Sequence, residues 1–215
     1  VTDLLAESLA QVAQELAANA TEQLPELLGC DPAAGDEAAC VRDFLQGFAA
    51  KAYRRPLEAS ELERLWAVYR QGRAAADVRA GVALALEVVF QSPHLLYRSE
   101  LGARDDSENE VSLTPYELAG QLSYLVTQGP PDAELTRAAA AGDLQAGEGR
   151  TAQARRLLEL PGARGAMQAF ASEWLDIERL ATDSKDSAMF PAFSPDLART
   201  LQLETQELFA RVVFE

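Results

Sequence analysis

Apolar residues recur at helical spacing along most of the chain. In the first segment they fall every three or four residues from Leu5 to Leu27, which predicts one long amphipathic helix over residues 3–28 with its leucine stripe buried. The same spacing predicts helices over about 41–53, 58–73 and 75–91. The last of these is apolar nearly all round, so we expect it to be the central helix of its half.

The second half carries explicit helix-start signals. Thr114, Pro115 and Glu117 combine a capping box with a proline in the first turn, which predicts that a helix begins there. Further helices are expected over about 132–142, 149–160, 163–180 and 196–215, the last burying a stripe made of Leu197, Leu201, Leu208 and Val212. Both tryptophans, Trp66 and Trp174, lie on apolar helix faces, and we expect both in the core.

These patterns predict an all-α fold. No segment alternates apolar and polar residues for long enough to indicate a confident strand. The polar, acidic stretch 102–112 is the best candidate linker. We therefore expect a two-lobed bundle of about nine helices, with an N-terminal lobe over 1–103 that contains the Cys30–Cys40 loop, and a C-terminal lobe over 112–215.

Cys30 and Cys40 flank a loop of Gly, Pro, Ala and Asp residues. A disulfide between them would join two helices and contribute on the order of 2–3 kcal/mol. With no histidine near and no Cys-x-x-Cys spacing, the pair forms neither a zinc site nor a redox motif. We favour a disulfide, which implies an oxidising compartment. The alternative is two buried, reduced cysteines in a cytosolic helix pair.

The net charge of the chain limits the kinds of partner that it can bind. Its 215 residues carry 19 basic and 34 acidic side chains, for a net charge of -15. Such a surface repels phosphate backbones and anionic lipid, so we expect no nucleic acid and no membrane surface as partner. The longest apolar run, 80–90, is too short to span a bilayer and contains Glu87. The chain begins with Val1 and shows no signal segment, which predicts a processed product or a fragment.

The sequence lacks the familiar catalytic motifs. It has one histidine, no Gly-x-Ser-x-Gly, no phosphate-binding glycine loop, no His-Glu-x-x-His and no dinucleotide fingerprint. We therefore assign no catalytic residue and no metal ligand. There is also no Cys-x-x-Cys-His motif, so we expect no haem bound covalently by this chain.

The most unusual polar cluster is Tyr-Arg-Arg-Pro at residues 53–56. We expect one guanidinium, of Arg54 or Arg55, to turn inward onto a carboxylate such as Glu87 or Glu100 and tie helix ends together. A clamp for a substrate anion is the alternative. His94, after a proline at a helix break, is either a hydrogen-bonded helix-end residue or a haem ligand from outside a haem-binding module.

Four segments resemble known domains. FAAKAYRRPLEASELERLWAVY (48–69) and FQSPHLLYRSELG (90–102) are similar to a small exported-protein domain of unknown function, the one numbered fifteen ninety-five. LTPYELAGQLSYLVTQGPPDAELTRAAAAGDL (113–144) and FASEWLDIERL (170–180) are similar to the neighbouring domain numbered fifteen ninety-two. The motifs occur in the family's order and cover roughly residues 40–215. The cysteine segment also resembles the lead-in of some members.

The resemblance implies a setting and no reaction. In this family, often described as planctomycete cytochrome C-type, the two helical domains are the middle of a longer exported chain. Further domains commonly carry Cys-x-x-Cys-His haem motifs. The resemblance thus implies a periplasmic, cell-surface or secreted location, and a haem group carried by a partner segment.

Three functions are consistent with these observations. The first is a non-catalytic helical scaffold that docks against other domains or chains of the same exported protein; it predicts a large open apolar patch. The second is a component of an oxidoreductase or electron-transfer assembly with a site at the seam between the lobes. It would bind an anion such as a haem propionate through Arg54, Arg55, His94 and Arg98, and it predicts a pocket containing two of them. The third is an interaction module for a basic partner, which predicts salt-sensitive association.

Overall fold

The computed structural model describes residues 3–102, 111–182 and 185–215. They belong to two compact units, Val1–Ser112 and Leu113–Glu215. In the described residues all regular structure is helical, with nine helices of seven or more residues and no strand. The prediction of an all-α fold with about nine helices is therefore confirmed.

The described part of the first unit contains six helices: α1 (Asp3–Ala20), α2 (Leu24–Leu28), α3 (Glu37–Tyr53), α4 (Ala59–Ala75), α5 (Val78–Phe90) and α6 (Pro93–Leu96). Helix α5 contacts α1, α3, α4 and α6. Its Val82, Leu86 and Val89 are fully buried in the core of the unit. The most apolar helix is thus the central one, as its composition predicted.

The predicted helix over residues 3–28 is not continuous, because α1 ends at Ala20. A 3-10 turn over Thr21–Gln23 separates α1 from α2. Pro25 explains the break, because its ring clashes with the preceding turn and it has no N–H to donate. Gln23 accordingly leaves the helical region, with φ -113° and ψ 67°.

Helix α1 also buries a different face from the one predicted. Its fully buried residues are Ala13 and Ala17, whereas Val12 and Leu16 of the leucine stripe are 52% and 49% exposed. The small alanine side chains allow the α1 backbone to approach α5 closely. The expected burial of the stripe is therefore wrong for Leu5, Val12 and Leu16, each of which is about half exposed.

The predicted disulfide is confirmed. Cys30 and Cys40 are bonded, with their Cα atoms 6.1 Å apart and a sequence separation of 10. The bond closes the loop between α2 and α3. In the same loop, Asp36 caps α3 by accepting hydrogen bonds from the backbone N–H groups of Ala38 and Ala39.

Helices α4 and α5 meet at two glycines. A Cβ atom added to Gly72 would lie 2.7 Å from the Ala80 carbonyl oxygen, and one added to Gly81 would lie 2.7 Å from the ring and the carbonyl oxygen of Tyr69. The two backbones are therefore too close at this point to admit even a methyl group.

Among the residues described in the second unit there are five helices: α7 (Pro115–Thr127), α8 (Ala133–Ala141), α9 (Gly147–Leu158), α10 (Pro161–Trp174) and α11 (Pro195–Phe214). The predicted capping box of α7 is confirmed: the Thr114 hydroxyl accepts the Glu117 N–H, and the Glu117 carboxylate accepts the Thr114 N–H. Asp132 caps α8 and also pairs with Arg156 of α9 at 2.7 Å, which joins the two helices.

Helix α10 ends earlier than predicted. We expected a helix to about residue 180, but Asp176 adopts a left-handed backbone with φ 50°, and a 3-10 turn follows over Ile177–Ala181. Asp tolerates this conformation better than most residues. Of the expected irregular segment 181–195, residues 183 and 184 lie outside the described part of the chain.

Helix α11 repeats the behaviour of α1. It buries Ala198 and Ala210, while Leu197, Leu208 and Val212 of the predicted buried stripe are exposed and Leu201 is half-buried. The expected burial of this stripe is therefore wrong. Trp66 is half-buried against the core of the first unit, but Trp174 is 67% exposed, so it is not a core residue. None of the described helices has the length and apolar character needed to cross a membrane.

Candidate functional site

The Tyr-Arg-Arg-Pro segment forms the turn between α3 and α4 and lies against α6. Arg54 takes a left-handed backbone, with φ 59°, and so ends α3. Its backbone N–H donates to the carbonyl oxygen of Lys51 at 3.2 Å. Because Arg54 and Arg55 are consecutive in a sharp turn, their guanidinium groups bind different partners.

Arg54 caps the end of α6. Its Nη2 donates to the carbonyl oxygens of His94 at 2.6 Å and Tyr97 at 2.7 Å, and its Nη1 donates to that of Leu95 at 3.4 Å. Carbonyl groups at the end of a helix have no partner within the helix, and a cation there is favourable. Arg54 therefore fastens the short helix α6 to the end of α3.

Arg55 makes a two-pronged ion pair with Glu61 of α4. Its Nη1 and Nη2 each donate to one carboxylate oxygen at 2.8 Å, and Glu61 is only 6% exposed. The backbone N–H of Glu58 donates to the same carboxylate at 2.9 Å. The hydrogen bonds from Arg55, with a smaller contribution from that N–H, lower the pKa of Glu61 to about 2 against the opposing effect of burial.

One guanidinium thus turns inward onto a carboxylate and ties helix ends together, as expected. The partner is Glu61, and the expectation that it would be Glu87 or Glu100 is wrong. Sequence reasoning missed Glu61 because helix-start patterns are sought with Ser, Thr, Asp or Asn at the cap. Here Glu58 and Glu61 form the capping box of α4.

His94 lies beside this ion pair. Its Nε2 is 3.6 Å from the nearer carboxylate oxygen of Glu61 and 3.5 Å from Nη2 of Arg55, and its ring centroid is 5.2 Å from that of Tyr53. Its side chain is 44% exposed. The Ser92 hydroxyl accepts the backbone N–H of His94 and so caps α6. His94 is therefore held at a helix end between an anion and a cation.

An open groove of about 380 Å³ lies over this cluster in the first unit. Its lining combines polar and apolar side chains: Tyr53, Glu61, Arg64, Leu65, Ala67, Val68, Val88, Ser92 and His94. Of the four residues predicted to bind an anion, His94 alone lines it. The Glu61 carboxylate is ionised at neutral pH and accepts three hydrogen bonds, so it is poorly suited to act as a general base there.

Arg54 and Arg55, which were predicted to bind an anion, already have partners within the chain. The Arg55 charge is neutralised by Glu61, and Arg54 is bound to carbonyl oxygens, so a haem propionate would have to displace these partners. Arg98 is exposed two residues beyond α6 and takes part in an interaction as well. The three arginines therefore do not fit a haem propionate as they are arranged. In the described ranges no three His, Cys, Asp or Glu residues are grouped to hold a metal ion.

A second polar cluster joins α3 to α4. The buried Tyr69 donates its hydroxyl to Oε1 of Glu37 at 2.6 Å, and Arg73 pairs with the same oxygen at 3.0 Å. The Arg73 and Tyr69 hydrogen bonds lower the pKa of Glu37, while burial and the neighbouring Glu37 raise the pKa of Tyr69. This arrangement supports the fold and offers no reactive group.

The second unit presents an open apolar area, which we call the aromatic surface: Phe170 and Trp174 of α10 and Phe209 of α11. The centroid of Phe170 is 5.9 Å from that of Trp174 and 6.0 Å from that of Phe209. Val212 follows Phe209 by three residues, which places it on a neighbouring part of the helix, and it is 78% exposed. The aromatic surface therefore continues along the exposed side of α11.

Comparisons with known proteins identify two domains. Residues 40–100 match the family PSD5, a protein of unknown function (DUF1595), and residues 113–215 match the family PSD4, a protein of unknown function (DUF1592). No curated protein and no solved structure matches the chain significantly. The predicted resemblance to both domains is confirmed.

Proposed function

We propose that this chain, which carries the DUF1595 and DUF1592 domains, is a non-catalytic helical docking module of a larger exported protein. The observation that carries the proposal is the aromatic surface with the adjoining exposed side of α11. A contiguous apolar area of this kind is typical of a surface that another domain or subunit covers.

The aromatic surface has the composition of a binding centre. Trp, Tyr and other large rigid side chains supply most of the energy at protein interfaces, because they bury much area at a small entropic cost. Trp174 is 67% exposed, and stacking against Phe170 holds it in place. Leu208 and Val212 extend the area with side chains that are also mostly exposed.

The other features fit a supporting role. The two arginines of the 53–56 turn, together with Glu61 and His94, join α3, α4 and α6. The Cys30–Cys40 disulfide fits a periplasmic or extracellular location. We propose other domains or chains of the same exported protein as the partners of the aromatic surface.

Paired substitutions test the proposal. In the longer natural protein, Trp174→Ser and Leu208→Ser should lower the melting temperature and make the region proteolytically sensitive. In the isolated chain the same changes should have little effect, because both side chains are already in contact with water. Leu125→Ser, at a mostly exposed leucine of α7, is the matched control. Equal, small effects in both proteins would refute a docking role for this surface.

The second candidate is a component of an oxidoreductase or electron-transfer assembly, with haem carried by a partner segment. It is favoured by His94, the predicted residue that lines the groove of the first unit. An absorption spectrum of the protein purified gently from its source tests it. A haem Soret band that co-purifies with this chain and is altered by His94→Ala supports it. A spectrum without features above the aromatic band removes it.

A further inference from the structure

Helix α1 exposes an apolar row on the side next to its packed alanine face. We call Leu9, Val12 and Leu16 the α1 row. They are spaced by three and four residues, the spacing of a coiled-coil stripe. Leu9 is half-buried, while Val12 and Leu16 are about half exposed. Ala13 and Ala17 are the buried residues of α1, which packs against α5, so about half of the Val12 and Leu16 surface stays open to another partner.

The charged side chains of α1 and of the segment that follows it are all acidic. The first 41 residues contain eight acidic side chains and no basic one: Asp3, Glu7, Glu15, Glu22, Glu26, Asp31, Asp36 and Glu37. Among the described ion pairs, Arg73 neutralises Glu37, and the three acidic residues of α1 itself take part in none. Arg79 of α5 reaches α1 with a single hydrogen bond to the Ala18 carbonyl oxygen at 3.4 Å.

The end of α1 adds to this acidic surface. A second open groove, of about 400 Å³, is lined there by Asn19, Glu22, Glu26 and Leu27 among others. Glu15 occupies the position that flanks the row between Val12 and Leu16. In paired helices such flanking positions choose the partner by charge. Glu15 therefore borders the row on the helix, and Glu22 and Glu26 continue the acidic surface beyond its end.

We propose that the α1 row binds an amphipathic helix whose apolar stripe is flanked by Lys or Arg residues. Such a helix would cover Val12 and Leu16 and place its basic side chains against Glu15 and Glu22. A second copy of this chain fits poorly, because pairing α1 with itself would bring two uncompensated acidic surfaces together. The inference does not depend on the aromatic surface of the second unit.

The probe is a synthetic helical peptide about three heptads long, with Leu at the a and d positions and Lys at e and g. A peptide with the same apolar positions and Glu at e and g is its control. We expect the full chain to bind the Lys peptide in a titration followed by fluorescence anisotropy, and to bind the Glu peptide at least about tenfold more weakly. Raising the ionic strength should weaken the first interaction.

Variants of the α1 row test whether the peptide binds at this site or is held only by attraction between opposite charges. Val12→Gln and Leu16→Gln together should weaken Lys-peptide binding about tenfold or more, since each removes apolar area at the contact. Trp174→Ser should leave binding unchanged, which keeps this test distinct from that of the proposed function. Circular dichroism checks that the variants are folded.

Three results would overturn the proposal. Undiminished binding by the Val12/Leu16 double variant would mean that the peptide is held by charge alone. Equal binding of the Glu peptide would remove the basic partner. Self-association of the chain in sedimentation experiments, abolished by Leu16→Gln, would show that a second copy is the occupant.

Discussion

Replacing Glu61 by Gln should destabilise the first unit by about 3 kcal/mol at neutral pH. The carboxylate is 6% exposed and its pKa is lowered from 4.5 to about 2. At about 1.4 kcal/mol for each pKa unit, that depression corresponds to about 3 kcal/mol of stabilisation when the group is ionised. Gln keeps the size and the capping-box oxygen of Glu, so the substitution removes mainly the charge.

The pH dependence has a definite sign. A carboxylate whose folded pKa is lowered contributes its full stability above its unfolded pKa and loses it as the pH falls through the folded pKa. The difference between the wild-type chain and Glu61→Gln should therefore be constant above about pH 4.5 and should disappear as the pH falls through about 2. Other carboxylates titrate in both proteins and cancel in the difference.

Urea denaturation measures the effect in the first unit. Replacing Trp174 by Phe in both proteins leaves Trp66, on α4, as the single tryptophan reporter of that unit. The matched control is Glu63→Gln, two residues away on α4, where Arg42 also makes a two-pronged pair at 2.8 and 3.3 Å but the carboxylate is mostly exposed. It should change the midpoint little. Equal changes for Glu61→Gln and Glu63→Gln would refute the assignment of Glu61 as a buried structural anion.

Three further predictions follow from packing and covalent structure. Gly81→Ala should destabilise the first unit by about 1–3 kcal/mol, because its methyl group would overlap Tyr69. Gly47→Ala, in an open position of α3, should instead stabilise the unit by up to about 1 kcal/mol. Urea denaturation measures both changes. Reduction of the Cys30–Cys40 bond should cost about 2–3 kcal/mol, measured as a shift in thermal midpoint. Arg54→Gly keeps the left-handed backbone but removes the cap of α6, so amide exchange at residues 95–97 should quicken while α4 and α5 keep their protection.

Much of the fold could be predicted from the sequence because helical periodicity and capping residues act locally. Thr114, Asp132 and the apolar α5 are placed as expected for this reason. The prediction of a continuous helix over 3–28 is wrong because Pro25 interrupts an otherwise regular apolar pattern. The spacing of apolar residues predicts that a helix forms, whereas single residues such as Pro25 determine where it ends.

Which face of a helix is buried was harder to predict. In α1 the buried residues are Ala13 and Ala17, while the larger Val12 and Leu16 stay about half exposed. Small side chains permit a close approach of two backbones, so size explains this outcome in α1. In α11 the buried residues are Ala198 and Ala210, and polar side chains such as Gln206, which donates to the Ser172 hydroxyl of α10, also join the helix to its unit. Trp174 of α10 shows the same difficulty, because it lies on an apolar helix face and is nevertheless 67% exposed.

The candidate site could likewise be predicted only in part. The sequence indicated that the 53–56 turn would anchor an arginine on a carboxylate, since consecutive arginines at a helix end require partners. It could not identify Glu61, because the distance between Arg55 and that carboxylate depends on how α3 and α4 are joined at Pro56. The role of Arg54 as a cap for α6 likewise depends on a contact 40 residues away in the chain.

Radical footprinting of the two tryptophans tests the docking proposal most directly. Trp66 is half-buried against the core of its unit, whereas Trp174 is 67% exposed, so in the isolated chain Trp174 should oxidise several times faster. In the longer protein as it is isolated from its source, oxidation of Trp174 should fall to or below that of Trp66, while Trp66 keeps its rate. An unchanged ratio of the two rates would contradict the claim that a partner domain or subunit covers the aromatic surface.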